Sequence, residues 1–409
     1  MVKPESLMYR TFVSLGYRDY RFVWLGSVIE HLGEWMELAA LLWLVNELTH
    51  SPLMLTIVGS SRFIPMIIFP VLGGIAVDTM DRRRMLIFAL LGAASISVVL
   101  AILVQTKTIA IWHIIILSLM GGVATSLNHP ARQAIVPNLI KKEHLLNAIS
   151  LDSVSVQASR FLATPIAGYL IYSFGVVPVF GARAAGALIA ICWLLLVKVK
   201  LKPPSVTTKA PWQNVIDGLN YVRGSVLLLS LIPLYLIPML IQNTSSNFLP
   251  IFAHDILKIG VKGYGFLQAA PGLGALASLV ALAALPSYRV KGSLLFILSG
   301  ILGIALVLFS VSIWTFLSLF LLVIIGGMIT SFMTINTTLI QSHVSDVMRG
   351  RVMSLREIAY GLGPTGSLIF GAIAERSGTP FALELLGIIC IVVSLSLPFL
   401  LSKVRITKV

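Results

Sequence analysis

Residues 74–104 read GIAVDTMDRRRMLIFALLGAASISVVLAILV and decide the fold class. Three arginines at 82–84 are followed by residues 85–104, which carry no charged side chain. A helix of about 20 apolar residues crosses a bilayer, so this stretch predicts a membrane span with a basic cluster at its start. Of all 409 residues, 57% are hydrophobic and 11% are charged, and the mean hydropathy is +0.95. This composition excludes a water-soluble globular protein.

Twelve such apolar stretches predict an all-α, multi-pass membrane protein. They run approximately over 22–46, 52–77, 85–104, 111–130, 148–174, 178–198, 226–251, 264–286, 292–312, 314–340, 354–374 and 380–402. Most of the 30 Lys and Arg residues, Arg132 among them, fall in loops on the side of the two termini. Because short cytoplasmic loops collect basic residues, we expect both termini in the cytoplasm. The net charge of +14 therefore reflects orientation and does not indicate a nucleic-acid partner.

The longest connection between spans, residues 198–225, divides the chain into two six-helix bundles at 1–197 and 226–409. Corresponding helices of the two bundles share a short motif. In the fourth and tenth spans this motif comprises Asn128, Gln133 and Val136, and then Asn336, Gln341 and Val344. Two related bundles with a substrate cavity between them at the bilayer midplane are typical of transporters that alternate access. The sequence therefore favours a secondary transporter.

Several stretches resemble the major facilitator superfamily. The loop containing Gly74, Asp78, Asp81, Arg82 and Arg83 is similar to the superfamily's cytoplasmic signature between its second and third helices. Longer segments resemble the branch of drug:proton antiporters that holds macrolide-efflux and enterobactin-exporter proteins. They are RFVWLGSVIEHLGEWM at 21–36 and RGRVMSLREIAYGLGPTGSLIFGAIAE at 349–375.

The resemblance implies a monomeric exporter in the cytoplasmic membrane of a bacterium or archaeon. Such an exporter moves amphiphilic organic compounds, multidrug or macrolide-like, out of the cell in exchange for protons and without a cofactor. The resemblance also implies a cytoplasmic gate formed by Gly74, Asp78, Arg82 and Arg83, in which Asp78 accepts hydrogen bonds from the start of a neighbouring helix. Many drug:proton antiporters carry an arginine within the fourth span, and residues 114–131 of this chain hold none.

The first span carries the strongest chemical signal, a stripe formed by Glu30, Glu34 and Glu37. These carboxylates lie within about 60° of one another on a helix. Each charge at the bilayer centre costs about 2.5 to 3.5 kcal/mol, and burial and mutual repulsion both favour the protonated form of a carboxyl group. The stripe therefore predicts proton coupling. The alternative is that Glu37 and one other glutamate pair with Arg62 or Arg183 and only fix packing.

Arg160 in the fifth span shares a polar face with Gln157 and Thr164. We expect it to pair with a glutamate of the first span and to take part in proton coupling, with a proton at Glu30 or Glu34 breaking the pair. A fixed structural ion pair is the alternative. Other polar side chains are predicted to line the substrate cavity. They are His31, Arg62, Gln157, Asn243, Gln268, Thr334 and Glu357.

The seventh span contains Pro233 and Pro238 and then the polar run at 242–247, which predicts a broken outer segment. Other functions have less support. No phosphate-binding GxxxxGK[ST] loop and no G-x-S-x-G nucleophile motif occurs, so neither ATP-driven transport nor a membrane enzyme is indicated. A divalent metal exporter using Glu30, His31 and Glu34, and a sensor or scaffold, remain alternatives. A dedicated exporter of an endogenous siderophore or lysolipid is the nearest competitor.

Overall fold

The computed structural model describes residues 12–67, 81–198, 211–284 and 292–400, and this part of the chain is helical without a strand. The helices of the first bundle are α1 (Arg18–Thr49), α2 (Pro52–Ser61), α3 (Arg82–Gln105), α4 (Ile111–Leu139), α5 (Leu145–Phe174) and α6 (Val177–Leu195). A linker helix follows at Pro211–Arg223. The second bundle contains α7a (Val226–Leu234), α7b (Leu236–Ile251), α8 (Gly260–Ala283), α9 (Gly292–Ser310), α10 (Thr315–His343), α11 (Asp346–Ser377) and α12 (Thr379–Leu400).

The all-α membrane architecture predicted from the sequence is confirmed. Eight helical segments of the described chain are long and apolar enough to cross a bilayer. Three more helices, α1, α5 and α11, have 32, 30 and 32 residues, which also suffices to span. These three helices carry charged side chains such as Glu30, Arg160 and Arg351. The predicted boundaries at 197 and 226 agree with this division into bundles but remain a prediction.

Several helices continue beyond their apolar runs. α4 extends to Leu139 where the sequence predicted an end near 130, and α11 begins at Asp346 where the sequence predicted 354. The apolar run stops where a charged residue occurs. The helix itself continues through that residue, because its backbone hydrogen bonds can persist when the charged side chain has a partner. At both places an arginine, Arg132 or Arg351, is paired with a carboxylate.

The ends of α5 and α11 are built alike, as expected for related bundles. Gly175 follows α5 with φ of 77°, and Gly378 follows α11 with φ of 87°. This left-handed conformation strains any residue with a Cβ, which explains glycine at both positions. The shared motif of α4 and α10 also has a structural counterpart. Asn128 donates to Glu30 of α1, and Asn336 donates to the Leu231 carbonyl of α7a.

The seventh span is broken at a different place from the one predicted. α7a contains Pro233 and ends at Leu234, and a turn at Tyr235 separates it from α7b. The polar run 242–247 lies inside regular α7b, because its side chains bond back to their own helix or pack against α2 and α5. A second irregularity is the π-helical turn Phe252–Ile256. The turn at Tyr235 and the π-helical turn lie on either side of the polar run 242–247.

The two bundles meet along α5 with α8 and along α2 with α11. We call the side on which α1 ends and α2 begins the distal side. There Ser51 donates to Glu375 at 2.7 Å, and deeper in the membrane Ser60 donates to the Pro364 carbonyl at 2.7 Å. These contacts run from the distal surface toward the middle of the helices, so the described bundles are joined on the distal side.

The distal closure depends on close approach at Gly371 of α11. A Cβ at this position would overlap the Thr56 hydroxyl of α2. Overpacking of this kind costs about 1 to 3 kcal/mol, so Gly371→Val is expected to shift the protein toward a distally open state. A cysteine at Ser60, which is 1% exposed, reports the shift. In a background lacking the exposed Cys192, we expect labelling of Ser60→Cys by a water-soluble maleimide to become about tenfold faster.

Gly181→Val is the matched control, because nothing lies within 4 Å of a Cβ at that position. It adds the same side chain in a helix of the first bundle and leaves the α2 and α11 contact alone. Equal labelling rates in Gly371→Val and Gly181→Val would show that this contact does not hold the distal side closed.

Candidate functional site

The carboxylate stripe of α1 lies at the centre of the first bundle, where three other helices each contribute an arginine. Glu30, 7% exposed, forms an ion pair with Arg132 of α4 and accepts a hydrogen bond from Asn128 at 2.7 Å. Arg183 of α6 lies 3.9 Å from the same carboxylate and donates to the Glu30 carbonyl at 3.2 Å. Glu30 is thereby enclosed by two guanidinium groups and an amide.

The other two carboxylates have their own partners. Glu34 forms an ion pair with Arg62 of α2. Glu37 accepts a hydrogen bond from Ser97 of α3 and lies 3.7 Å from Arg183. The packing interpretation expected Glu37 and one other glutamate to pair with Arg62 or Arg183, and in the structure Glu37 lies beside Arg183 and Glu34 pairs with Arg62. Three carboxylates face three arginines, so the cluster carries no net charge when all are ionised.

Solvent access distinguishes the pairs. The Glu34 and Arg62 side chains are 22% and 21% exposed, whereas Glu30 and Arg132 are 9% and 11% exposed. Glu34, Arg62, Glu37 and Arg183 line a small space inside the first bundle, which we call the N-bundle cavity. Its remaining walls come from α3 and α4. Water can reach Glu34 and Glu37 through this cavity, so both are better placed than Glu30 for exchanging a proton.

Two glycines make the cluster possible. A Cβ at Gly33 would lie 2.8 Å from the Arg183 side chain, so glycine at this position lets Arg183 run along α1. A Cβ at Gly122 of α4 would overlap the Arg62 carbonyl of α2. These close approaches bring the arginine-bearing helices α2, α4 and α6 against the stripe.

Arg132 is the functional candidate that the sequence analysis missed. Its position after the apolar run of the fourth span, which ends near residue 130, suggested a cytoplasmic loop. In the structure Arg132 lies within α4, bonds His31 at 2.9 Å and Asn128 at 2.9 Å, and pairs with Glu30. The available signal was the spacing of four residues from Asn128, which places both side chains on one helix face.

The predicted partner of Arg160 is wrong. Arg160, 4% exposed, donates to the Gln268 carbonyl at 3.3 Å and to the Ser246 hydroxyl at 3.1 Å, and its guanidinium lies 4.7 Å from the Trp35 ring. The α1 glutamates are bound by Arg62, Arg132 and Arg183 instead. Among the described side chains, no carboxylate lies within ion-pair distance of Arg160.

Arg160 instead lies where the two bundles meet. A small space, the interface cavity, is bordered by α5, α7b, α8 and α10. Gln157 and Arg160 contribute from α5, and Gln242 and Ser246 from α7b. Pro271 and residues of α10 form its apolar wall. One cationic and several neutral polar groups therefore face an apolar surface in a cavity between bundles.

The other predicted cavity residues are dispersed. His31 is 3% exposed within the ion-pair cluster, so it does not line a cavity in this structure. Asn243 bonds back to Met239, and the exposed Thr334 bonds back to Thr330, which itself lines the interface cavity. Gln268 is fully buried and meets Arg160 only through its carbonyl. The side chain of Glu357 lies outside the described residues.

The predicted cytoplasmic gate is described only in part, since Gly74 and Asp78 lie outside the described residues. Asp81 caps α3 by accepting from the Arg83 amide at 2.8 Å. Arg83 donates to the Leu195 carbonyl at the end of α6, and Arg82 begins α3. These contacts fix α3 against α6 within the first bundle and involve no helix of the second bundle. The cytoplasmic gate therefore stays a prediction.

The metal-exporter alternative gains no support from the described residues, where no group of three His, Cys, Asp or Glu side chains is placed to hold an ion. Glu30, His31 and Glu34 are near one another, but arginines bind their ligand atoms. The stripe is therefore an ion-pair cluster in this conformation.

Two helical bundles with buried ion pairs in one and a cavity between them define a multi-pass membrane transporter. The profile of the family described as "Transmembrane secretion effector" matches residues 10–408. The chain belongs to this family of the major facilitator superfamily. It is accordingly a transporter of small molecules and not an enzyme.

Three relatives are similar over most of the chain. The staphyloferrin A transporter of Staphylococcus aureus is 24% identical over 394 residues, covering 94% of this chain and 97% of that protein. Enterobactin exporter EntS of Escherichia coli is 25% identical over 373 residues, covering 86% of each chain. Macrolide efflux protein A of Streptococcus pyogenes is 21% identical over 384 residues, covering 92% of this chain and 95% of the relative.

Solved structures share the fold. The nucleoside transporter NupG superposes with a TM-score of 0.73 at 15% identity, covering 95% of this chain and all of that one. A bacterial homologue of the human lysosomal transporter Spinster, in an inward-facing and unoccupied conformation, superposes with a TM-score of 0.68 at 15% identity and covers 98% of both chains. The predicted superfamily fold is thereby confirmed.

Proposed function

We propose that this chain exports an amphiphilic organic compound across a bacterial or archaeal inner membrane in exchange for protons, as a monomer with both termini in the cytoplasm. The supporting observation is the carboxylate stripe, in which one helix is linked by ion pairs to arginines of three others. Intramembrane ionisable residues are costly and mark proton or substrate pathways.

Glu34 is the proposed proton acceptor. A proton on Glu34 removes the charge that holds Arg62, and Arg62 then becomes free to leave α1. Because α2 carries Arg62 and also forms the distal contact with α11, the position of α2 affects both the ion pair and the closure between bundles. His31, 3.9 Å from Glu34, and the Glu37–Arg183 pair are the neighbouring titratable groups that tune this step. Protonation is thereby coupled to alternating access.

The substrate has two candidate classes. The similarity to macrolide efflux protein A supports a multidrug or macrolide-like range. The similarity to the staphyloferrin A transporter and to enterobactin exporter EntS supports the second candidate, a dedicated exporter of an endogenous compound such as a siderophore. A broad range requires a tolerant cavity, whereas a dedicated exporter uses directional polar contacts.

A toxic-compound panel in an efflux-deficient bacterial host separates these classes. The panel contains a macrolide, a lipophilic cationic dye and a carboxylated antibiotic, and it compares the wild type with Glu34→Gln. Glu47→Gln is the matched control, since Glu47 is an exposed carboxylate of the same helix whose bond from Trp43 a glutamine can still accept. We expect resistance in the wild type and in Glu47→Gln and its loss in Glu34→Gln.

Resistance to several unrelated compounds supports multidrug export, and resistance confined to one chemical class supports the dedicated exporter. Resistance that Glu34→Gln retains at full strength would contradict the proton-coupling role of this carboxylate.

A further inference from the structure

The interface cavity contains one buried cation, and buried polar groups without a partner lie on α7b and α8, two of the helices that border it. Arg160 is 4% exposed and faces no described carboxylate within ion-pair distance. An unpaired charge in a membrane interior is costly, and a guanidinium carries five N–H donors, of which the Gln268 carbonyl and the Ser246 hydroxyl accept one each. Arg160 therefore retains both charge and donors for a further partner.

Neighbouring side chains of the second bundle are also left without hydrogen bonds. Both amide atoms of Gln268 and the Tyr264 hydroxyl are buried without a partner among the described residues, and these two residues lie one turn apart on α8. Thr244 and Asn247 of α7b show the same deficit. Buried polar groups are nearly always paired in native proteins, and a group of exceptions requires an explanation.

The carboxylates of α1 do not supply the missing charge. Arg62, Arg132 and Arg183 bind them within the first bundle, so they neutralise one another and not Arg160. They also offer no free negative group to a cationic substrate in this conformation. Arg160 is thus the one charged side chain among the described residues that line the interface cavity, and Pro271, Ile325 and Ile329 form an apolar wall.

We propose that Arg160 forms an anion subsite that binds a carboxylate group of the exported compound, whose apolar part lies against α10. A planar carboxylate accepts two parallel N–H bonds from a guanidinium, and this geometry is the strongest that arginine offers. The single positive charge of Arg160, set among neutral amides and hydroxyls, suits a substrate group that carries a single negative charge. The inference rests on the proposed export function and specifies its substrate class as anionic amphiphiles.

Ser246 offers a direct way to occupy the subsite from within the protein. Its hydroxyl lies 3.1 Å from the Arg160 guanidinium, so Ser246→Asp places a carboxylate against Arg160. Ser246→Asn is the matched control, because asparagine has the same size and shape as aspartate but carries no charge. An internal carboxylate competes with the substrate's own, whereas the amide does not neutralise Arg160.

The test measures equilibrium binding to the purified full-length protein in nanodiscs with three fluorescent probes of one scaffold. Dansyl-leucine is an anion, dansyl-leucine amide is neutral and dansylcadaverine is a cation, and empty nanodiscs report partition into lipid. We expect the wild type to bind dansyl-leucine at least about tenfold more tightly than the other two, because a hydrogen bond to a charged group contributes roughly that factor or more.

Arg160→Gln and Ser246→Asp are expected to lose this preference, and Ser246→Asn is expected to keep more of it than Ser246→Asp. Lys262→Gln removes an exposed cation of α8 and controls for net charge. Equal binding of the three probes by the wild type, absence of dansyl-leucine binding, or an undiminished preference in Ser246→Asp would each overturn the subsite.

Binding is measured without a gradient, so a failure of the anion-subsite proposal can be distinguished from a failure of the export proposal. Dansyl-leucine that binds selectively but is not transported would leave the anion subsite standing and contradict export. Transport of all three probes at equal rates would leave export standing and contradict the subsite.

Discussion

Replacing Glu30 by Gln is expected to lower the free energy of unfolding by about 3 to 5 kcal/mol, because removal of one partner of a buried ion pair leaves the other charge uncompensated. Arg132 is the charge left behind. Its remaining contacts are His31 and Asn128, which are neutral or share its charge and cannot replace a carboxylate. Denaturation of the purified protein with sodium dodecyl sulfate measures the change.

The double variant Glu30→Gln and Arg132→Gln tests whether the loss comes from the pair. Removing both charges leaves Glu34 and Glu37 opposite Arg62 and Arg183, so the cluster stays neutral. We expect the double variant to recover most of the stability, with a coupling energy of about 3 kcal/mol in the double-mutant cycle.

An exposed ion pair supplies the control. Arg351 and Asp217 are 2.8 Å apart, but their side chains are 25% and 41% exposed. Exposed pairs contribute about 0 to 1 kcal/mol, so Asp217→Asn is expected to change stability by less than about 1 kcal/mol. If Glu30→Gln were no more destabilising than Asp217→Asn, the Glu30 pair could not be described as a buried structural centre of the first bundle.

Glu34→Gln has the second large expected effect, and this effect is on transport. Gln keeps the size of the side chain and can still accept a hydrogen bond from Arg62, but it cannot take up a proton. Accumulation of dansyl-leucine in inside-out vesicles, driven by a pH gradient, is expected to fall to less than about a tenth of the wild-type rate, since a positioned proton-transfer group contributes a factor of about 10² or more. Exchange of internal for external dansyl-leucine without a gradient is expected to persist.

Glu47→Gln is again the control on the same helix, with wild-type accumulation expected. The loss of folding stability separates Glu34→Gln from Glu30→Gln. Glu34 and Arg62 are about one-fifth exposed, so Glu34→Gln costs less folding energy than Glu30→Gln. Equal loss of gradient-driven accumulation and exchange in Glu34→Gln would indicate a collapsed protein and would contradict a specific role in coupling.

Sequence analysis succeeded where the information is local. The apolar stretches determine the helices, and the spacing of Glu30, Glu34 and Glu37 determines that they share one face. It failed where the answer depends on a contact between distant residues. Arg132 meets Glu30 across about a hundred positions, and Arg160 was assigned to the wrong partner because helix periodicity does not reveal which bundle a side chain faces.

The break in the seventh span illustrates the same limit. Polar residues at 242–247 suggested an interrupted helix, because backbone groups without water need partners. In the folded protein Asn243 and Ser245 bond back within α7b and Ser246 accepts from Arg160 of α5, whereas the helix is interrupted at Tyr235, shortly after Pro233. Composition identified an unusual segment, while packing decided its conformation.

The central claim is that the carboxylate stripe couples proton movement to transport through Glu34. Its most direct test records internal pH in proteoliposomes loaded with a pH-sensitive dye while dansyl-leucine is added outside. The account predicts proton movement opposite to dansyl-leucine in the wild type and none in Glu34→Gln. Proton movement of equal size in both proteins, or dansyl-leucine transport in the wild type without any proton movement, would contradict it.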